Sequence, residues 1–150
     1  MNNWLWHLDD GSLEIFPEEH AIGHYGFVYV ITNLKTNKFY IGKKAFIHNK
    51  KKKLTKKEIA EHTGAGRKPT TRVDKVDSGW KSYYGSSKDL LADVKLLGED
   101  KFERVIIHFA KNKKQLTFLE LQEQIIHNVL FTDNSYNDNI AGKYFRKDFA

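Results

Sequence analysis

Two short runs limit what this chain can become: "GFVYVIT" at 26–32 and "FYIG" at 39–42, separated by the polar "NLKTNK". Both runs are rich in β-branched and aromatic residues, the composition of half-buried strands. The Asn, Thr and Lys between them suit a hairpin connection. Strands over about 27–32 and about 38–42, adjacent and antiparallel, are the prediction. Each carries a tyrosine, Tyr29 and Tyr40, and the second is followed at once by Gly42 and the lysine pair Lys43 and Lys44.

The other elements follow from periodicity and end signals. "SSKDLLADVKLLG" predicts an amphipathic helix with Ser87 as N-cap, Leu90, Leu91, Val94 and Leu97 on one face, and Gly98 as the stop. "KFERVIIHFA" reads as a third strand and "KQLTFLELQEQIIHNVLF" as a longer helix. "LTKKEIAEHTG" predicts a short helix with Thr55 as N-cap, Glu58 in the capping-box position and Gly64 ending it. "AGRKPTTRVDKVDSG" has the composition of a long exposed loop.

The expected fold class is α/β (α+β), a small three-stranded antiparallel sheet flanked by helices. Residues 1–25 would be an extension packed on the domain, 26–145 the domain itself with a basic insertion at 47–79, and 146–150 a basic and aromatic tail. A length of 150 residues with 40% hydrophobic content suits one domain with its own core. No window approaches the ~18 apolar residues of a membrane span, and the start lacks the pattern of a secretory signal. With no cysteine, any metal must be held by oxygen or imidazole, and a reducing cytoplasm is compatible.

The total charge is +6, yet Lys43 to Lys75 holds twelve Lys and Arg against Glu58, Glu61 and Asp74, a local +9. A basic block on an otherwise mildly acidic chain points to a polyanion, nucleic acid being the commonest. Its plainer reading is a solvated lysine-rich surface.

Candidate chemistry lies in the long helix and the hairpin. With Phe118 as origin, Leu116, Leu119, Leu121, Ile125, Ile126, Val129 and Leu130 form a broad apolar arc. Glu120 lies just past its edge and Glu123 falls within it. Carboxylates at a buried margin need a partner, and either a divalent cation or a cationic side chain would serve. Tyr29 and Tyr40 are read as packing residues or, beside cations and a metal, as groups that bind or activate water. The histidines show no zinc-site spacing. "GWKSYYGSS" joins Trp80, Tyr83 and Tyr84 to Gly85, Ser86 and Ser87, for base stacking, phosphate contact or core packing.

Together these pieces resemble the GIY-YIG nuclease family. "FVYVI" is similar to the first half-motif, with Val28-Tyr29 for Ile-Tyr; Tyr40-Ile41-Gly42 matches the second; Leu119-Glu120 and Tyr136-Asn137 follow in order. "YIGKKAF", "GWKSYYGSS" and "LTFLELQEQIIHNVL" resemble the Seg-type phage homing endonucleases, the likeness running from about 26 to 145. The resemblance implies a DNA endonuclease using one divalent cation, Mg2+ or Mn2+, held by Glu120 with Glu123 in reserve. It implies Tyr29 as general base or water-orienting group, Tyr40 at the substrate phosphate and Asn137 as a buttress. Double-stranded DNA is the implied partner, met by Lys43, Lys50, Lys51, Lys52, Lys53, Arg67, Lys68, Arg72, Trp80, Tyr84 and Ser86. A phage-encoded enzyme of this kind would act in the host cytoplasm. A non-catalytic nucleic-acid-binding module on the same scaffold is the alternative. One departure stands out: the family's arginine after YIG is missing, leaving Lys44, or Arg67 or Arg72 from the basic block, to take its place.

Overall fold

A computed structural model of the chain describes residues 2–62, 64 and 66–150. Along the chain run β1 (Leu5–His7), β2 (Leu13–Ile15), β3 (Gly26–Asn33), β4 (Phe39–Ala45), β5 (Ile47–Lys53), α1 (Lys56–Ala60) and β6 (Thr71–Asp77). After these come α2 (Lys88–Leu97), β7 (Phe102–Ala110), α3 (Lys113–Ile126), β8 (Asn139–Ile140) and β9 (Tyr144–Phe145). They form two compact units, Met1–Phe46 with Gly79–Ala150, and Ile47–Ser78. Among the described residues no helix is long and apolar enough to cross a membrane.

The central sheet of the first unit has five strands, not the expected three, in the order β2-β1-β7-β3-β4. The hairpin and β7 are where the sequence places them. The additional pair comes from the N-terminal stretch: β1 lies parallel to β7 through Leu5↔Val105, and β2 returns antiparallel to β1. Strands of three residues leave no period to read, and Trp4 and Phe16, both fully buried, anchor them from just outside their ends.

Period-2 alternation splits the core between the two faces of the sheet. Phe27, Tyr29 and Ile31 face one side with Trp4, Phe16, Trp80, Tyr84 and Leu90; Val28 and Ile41 face the other with Leu116, Val129 and Leu130. The β3–β4 connection is closed by Asn33, whose Oδ1 accepts the amides of Lys35 and Thr36 at 2.9 and 3.3 Å. Asn37 takes φ 60° in that turn, a conformation asparagine tolerates better than most residues.

Both predicted caps of α2 are present: Ser87 Oγ accepts the Leu90 amide at 3.3 Å, and Gly98 ends the helix at φ 95°. In α1 the capping box of Thr55 and Glu58 forms, but the helix stops at Glu61 rather than at Gly64. Helix α3 also stops earlier than its pattern suggests. Asn128, at φ 54°, reverses the chain so that Val129 and Leu130 are buried while Phe118, Ile125 and Ile126 remain more than 60% exposed. The buried face of α3 is accordingly narrower than the apolar arc.

The second unit is the basic insertion. The stretch expected to be a long exposed loop contains β6, which pairs antiparallel with β5 over seven residues from Ile47↔Asp77 to Lys53↔Thr71. Lysine-rich strands of low β propensity hide this hairpin from a pattern search.

Candidate active site

Register places Tyr29 directly opposite Gly42. A Cβ at Gly42 would sit 2.5 Å from the Tyr29 hydroxyl and 2.8 Å from Tyr40 Cε1, so the glycine of "YIG" is needed to let two phenol rings close over one backbone position. A register shift between Val28 and Tyr29 in the β3–β7 pairing marks a bulge at the same point, a device that re-aims a side chain. Tyr29 is 0% exposed, with Trp4 at 5.2 Å and Tyr83 at 6.1 Å between ring centroids. Among the described residues no group meets hydrogen-bond geometry with its hydroxyl. Burial above all, then the neighbouring phenols Tyr40 and Tyr83, pushes its ionisation well above the usual tyrosine range. Tyr83 is near enough to disfavour the phenolate, but by geometry the Tyr29 hydroxyl remains unpaired.

Tyr40 lines a cavity of about 790 Å³ with Lys43, Ser86, Glu120, Gln124 and Asn137. Its hydroxyl lies 3.0 Å from Ser86 Oγ, and burial raises its pKa, only partly offset by that bond. Glu120, from the middle of α3, enters the same cavity with its side chain 18% exposed. Burial raises its pKa, while the charge of Lys43, Nζ at 3.9 Å from Oε1, opposes the shift. Lys43 Nζ also donates to Thr117 Oγ1 at 2.9 Å. The Glu120 charge reaches both phenols and disfavours their ionisation.

The two carboxylates of α3 are separated by this packing. Glu123 meets His108 Nε2 at 2.7 Å and His127 Nδ1 at 3.2 Å, and does not line the cavity. Glu120 is left as the acidic side chain of α3 beside Tyr40. The hydrophobic arc could not make that choice, because His108 comes from β7.

Asn137 is 3% exposed and acts on the backbone: its Oδ1 accepts the Ile41 amide at 3.0 Å and its Nδ2 donates to the Ile41 carbonyl at 2.9 Å. The segment before it runs along the free edge of β4, where Tyr136 donates its amide to Phe39 at 2.7 Å. The Asn137 amide therefore imitates the next peptide of a neighbouring strand and closes the edge. Gln124, absent from the sequence-derived set, donates Nε2 to the same Ile41 carbonyl at 3.1 Å, tying "YIG" to the helix one turn past Glu120. Asn137→Ala removes two buried hydrogen bonds and leaves the Ile41 amide unpaired, while Gln124 still holds the carbonyl, so unfolding in urea should show a loss of about 1–3 kcal/mol. An unchanged midpoint would mean that the edge is held by other contacts.

The lysine pair divides. Lys43, assigned from sequence to DNA contact, faces Glu120; Lys44, expected in place of the family arginine, lies on the other face, 4.1 Å over the ring of Tyr83. Of its alternates, Arg72 is engaged by Glu58 at 2.6 Å and Asp74 at 3.2 Å, and Arg67 is an exposed side chain of the second unit. Tyr83, one of the aromatic candidates of "GWKSYYGSS", packs against the core beside Tyr29. Arg104 carries no signal in the sequence: 3% exposed, it lies 4.4 and 4.2 Å from the rings of Trp4 and Tyr84 and donates to the carbonyls of Tyr83 and Lys81 at 2.8 and 3.1 Å. It positions the "GWKSYYGSS" turn from beneath.

That turn corrects two of the proposed DNA contacts. Trp80 and Tyr84 are 3% and 8% exposed, packed against Phe27, Phe46 and Arg104, so neither offers a ring face to a base. Ser86 is exposed beside Tyr40. Lys50, Lys51, Lys52, Lys53 and Lys68 are exposed in the second unit.

No group of three or more His, Cys, Asp or Glu able to hold a metal occurs among the described residues. A single carboxylate still suits magnesium, which keeps several waters and binds through one or two carboxylates plus substrate phosphates. The polar cavity around Glu120 has room for that arrangement. In comparison with known proteins, the family described as "Putative endonuclease segE, GIY-YIG domain" matches residues 6–146. No curated protein and no solved structure gives a match.

Proposed function

Because the chain belongs to the Seg-type GIY-YIG family, we propose that it is a divalent-cation-dependent DNA endonuclease of the phage homing type, hydrolysing phosphodiester bonds. The observation that carries this reading is the Tyr29 hydroxyl. It is fully buried without a partner, held over Gly42 beside Tyr40, in the field of Glu120. A buried unpaired hydroxyl costs about 1–3 kcal/mol, which packing alone does not explain; Tyr29 stands behind Tyr40 rather than in the cavity lining, and a partner that reaches its oxygen when substrate binds would offset that cost.

Burial keeps the Tyr29 phenol neutral, so it orients the attacking water through its oxygen rather than removing a proton as phenolate. Tyr40, with Ser86 against its hydroxyl, positions the phosphate at the cavity wall. Lys43 places a positive charge beside it, as a point charge without the bidentate fork of arginine. Asn137 and Gln124 hold the Ile41 peptide, and with it the spacing between Tyr40 and Glu120. A magnesium ion on Glu120 would neutralise charge on the transition state and acidify water.

The test is nicking of supercoiled plasmid. Cleavage in magnesium, abolished by EDTA and restored by magnesium or manganese, is the expected result. Salt-sensitive DNA binding without metal-dependent cleavage of any substrate would overturn the enzyme reading in favour of a non-catalytic binding module.

A further inference from the structure

The two faces of the β5–β6 ribbon differ in a way the charge count does not reveal. Register puts His48, Lys50, Lys52, Arg72, Asp74 and Val76 on one face, and Ile47, Asn49, Lys51, Lys53, Thr71, Val73, Lys75 and Asp77 on the other. The cations of the first face are largely met by carboxylates. Arg72 bonds Glu58 of α1 at 2.6 Å and Asp74 at 3.2 Å, and Lys52 lies 4.0 Å from Asp74. On the second face the carboxylate of Asp77 stands across from Ile47 at one end of the ribbon, whereas Lys51, Lys53 and Lys75 stand across from Val73, Thr71 and Asn49. All eight of these side chains are exposed, Val73 by 58%.

We propose that the face bearing Asn49, Lys51, Lys53, Val73 and Lys75 enters the major groove of duplex DNA. Two strands ~4.8 Å apart, with their side chains, match a groove ~12 Å wide that admits a two-stranded ribbon. Seven paired residues extend about 23 Å, so the ribbon spans several base pairs. Three lysines with no opposing carboxylate fit the flanking phosphates and guanine edges. Asn49 has the donor and acceptor to read adenine, and Val73 is an apolar contact for a thymine methyl. This rests on the endonuclease reading for the choice of DNA, and it assigns that substrate one groove and one face.

The experiment uses the full-length chain carrying Glu120→Gln, so that binding is read without cleavage. Fluorescence anisotropy with duplex DNA over a salt series compares Lys51→Ala/Lys53→Ala with Lys50→Ala/Lys52→Ala, pairs matched in charge and strand. The first pair should lower the slope of log K against log salt by about 1.8, and the second by less than half of that. Equal effects would overturn the assignment of the face. Dimethyl sulfate footprinting should show protected guanine N7 atoms, which lie in the major groove, with the protection lost in the first pair. Protection confined to adenine N3 would place the ribbon in the minor groove and overturn the proposal. Plasmid nicking by the unmodified chain separates the two readings. Nicking without N7 protection defeats the groove assignment alone, and N7 protection without nicking defeats the endonuclease reading alone.

Discussion

Glu120→Gln should lower magnesium-supported nicking about 10³-fold while making the metal-free protein more stable near neutral pH. The loss of rate follows if Glu120 is the carboxylate that holds the cation, since transition-state charge stabilisation by a metal contributes several kcal/mol and each 1.36 kcal/mol is tenfold. The gain in stability follows from the burial that raises the Glu120 pKa above its ordinary 4.5. A carboxyl whose folded pKa is raised binds its proton more tightly in the folded state than in the unfolded chain. Stability therefore falls as pH rises through the unfolded and then the folded value, and stays lower above both. Gln carries no such charge, so its advantage should be present at about pH 7 and vanish at about pH 4. Thermal unfolding of both proteins in EDTA at the two pH values measures this, and added magnesium should raise the melting temperature of the parent only. Undiminished nicking by the variant would remove Glu120 from the site.

Tyr29→Phe should lower nicking by about 10²-fold or more, the range for losing a group that manages a proton or a water in the transition state. Its folding stability should stay level or rise, because the deleted oxygen is buried and unpaired. This pairing of effects sets the residue apart from an ordinary core tyrosine. Tyr136 offers the contrast within the same molecule: its hydroxyl donates to Asp93 at 2.6 Å and accepts from Asn33 at 3.1 Å, and burial with the Asp93 contact pushes its pKa up to about 12. Urea unfolding beside plasmid nicking tests Tyr29→Phe. A drop in stability of several kcal/mol with unchanged cleavage would make Tyr29 a packing residue after all.

The hairpin, β7, both long helices and the caps at Thr55 and Ser87 were legible because each rests on interactions a few residues apart: alternation within a strand, 3.6-residue spacing, a hydroxyl reaching three residues ahead. Membership of the family was legible for the same reason, through short half-motifs in a fixed order. The N-terminal strands and the β5–β6 ribbon were not. Three-residue strands carry too little pattern, and a lysine run resembles a solvated loop until its partner strand is found.

The site followed the same division. Glu120 was a candidate from a carboxylate at the edge of an apolar arc, and Tyr29 and Tyr40 became candidates through the half-motifs that resemble the family, all local features of the chain. Three decisions depended on residues distant in sequence. His108 and His127 engage Glu123 away from the cavity that Glu120 lines, Lys43 rather than Lys44 faces Glu120, and core aromatics with Arg104 occupy the faces of Trp80 and Tyr84. By itself the sequence determined the central hairpin, β7, the two longer helices and the family. Only the tertiary structure decided which side chains share a cavity, because that depends on strand register, on the face each residue takes and on partners tens of residues away.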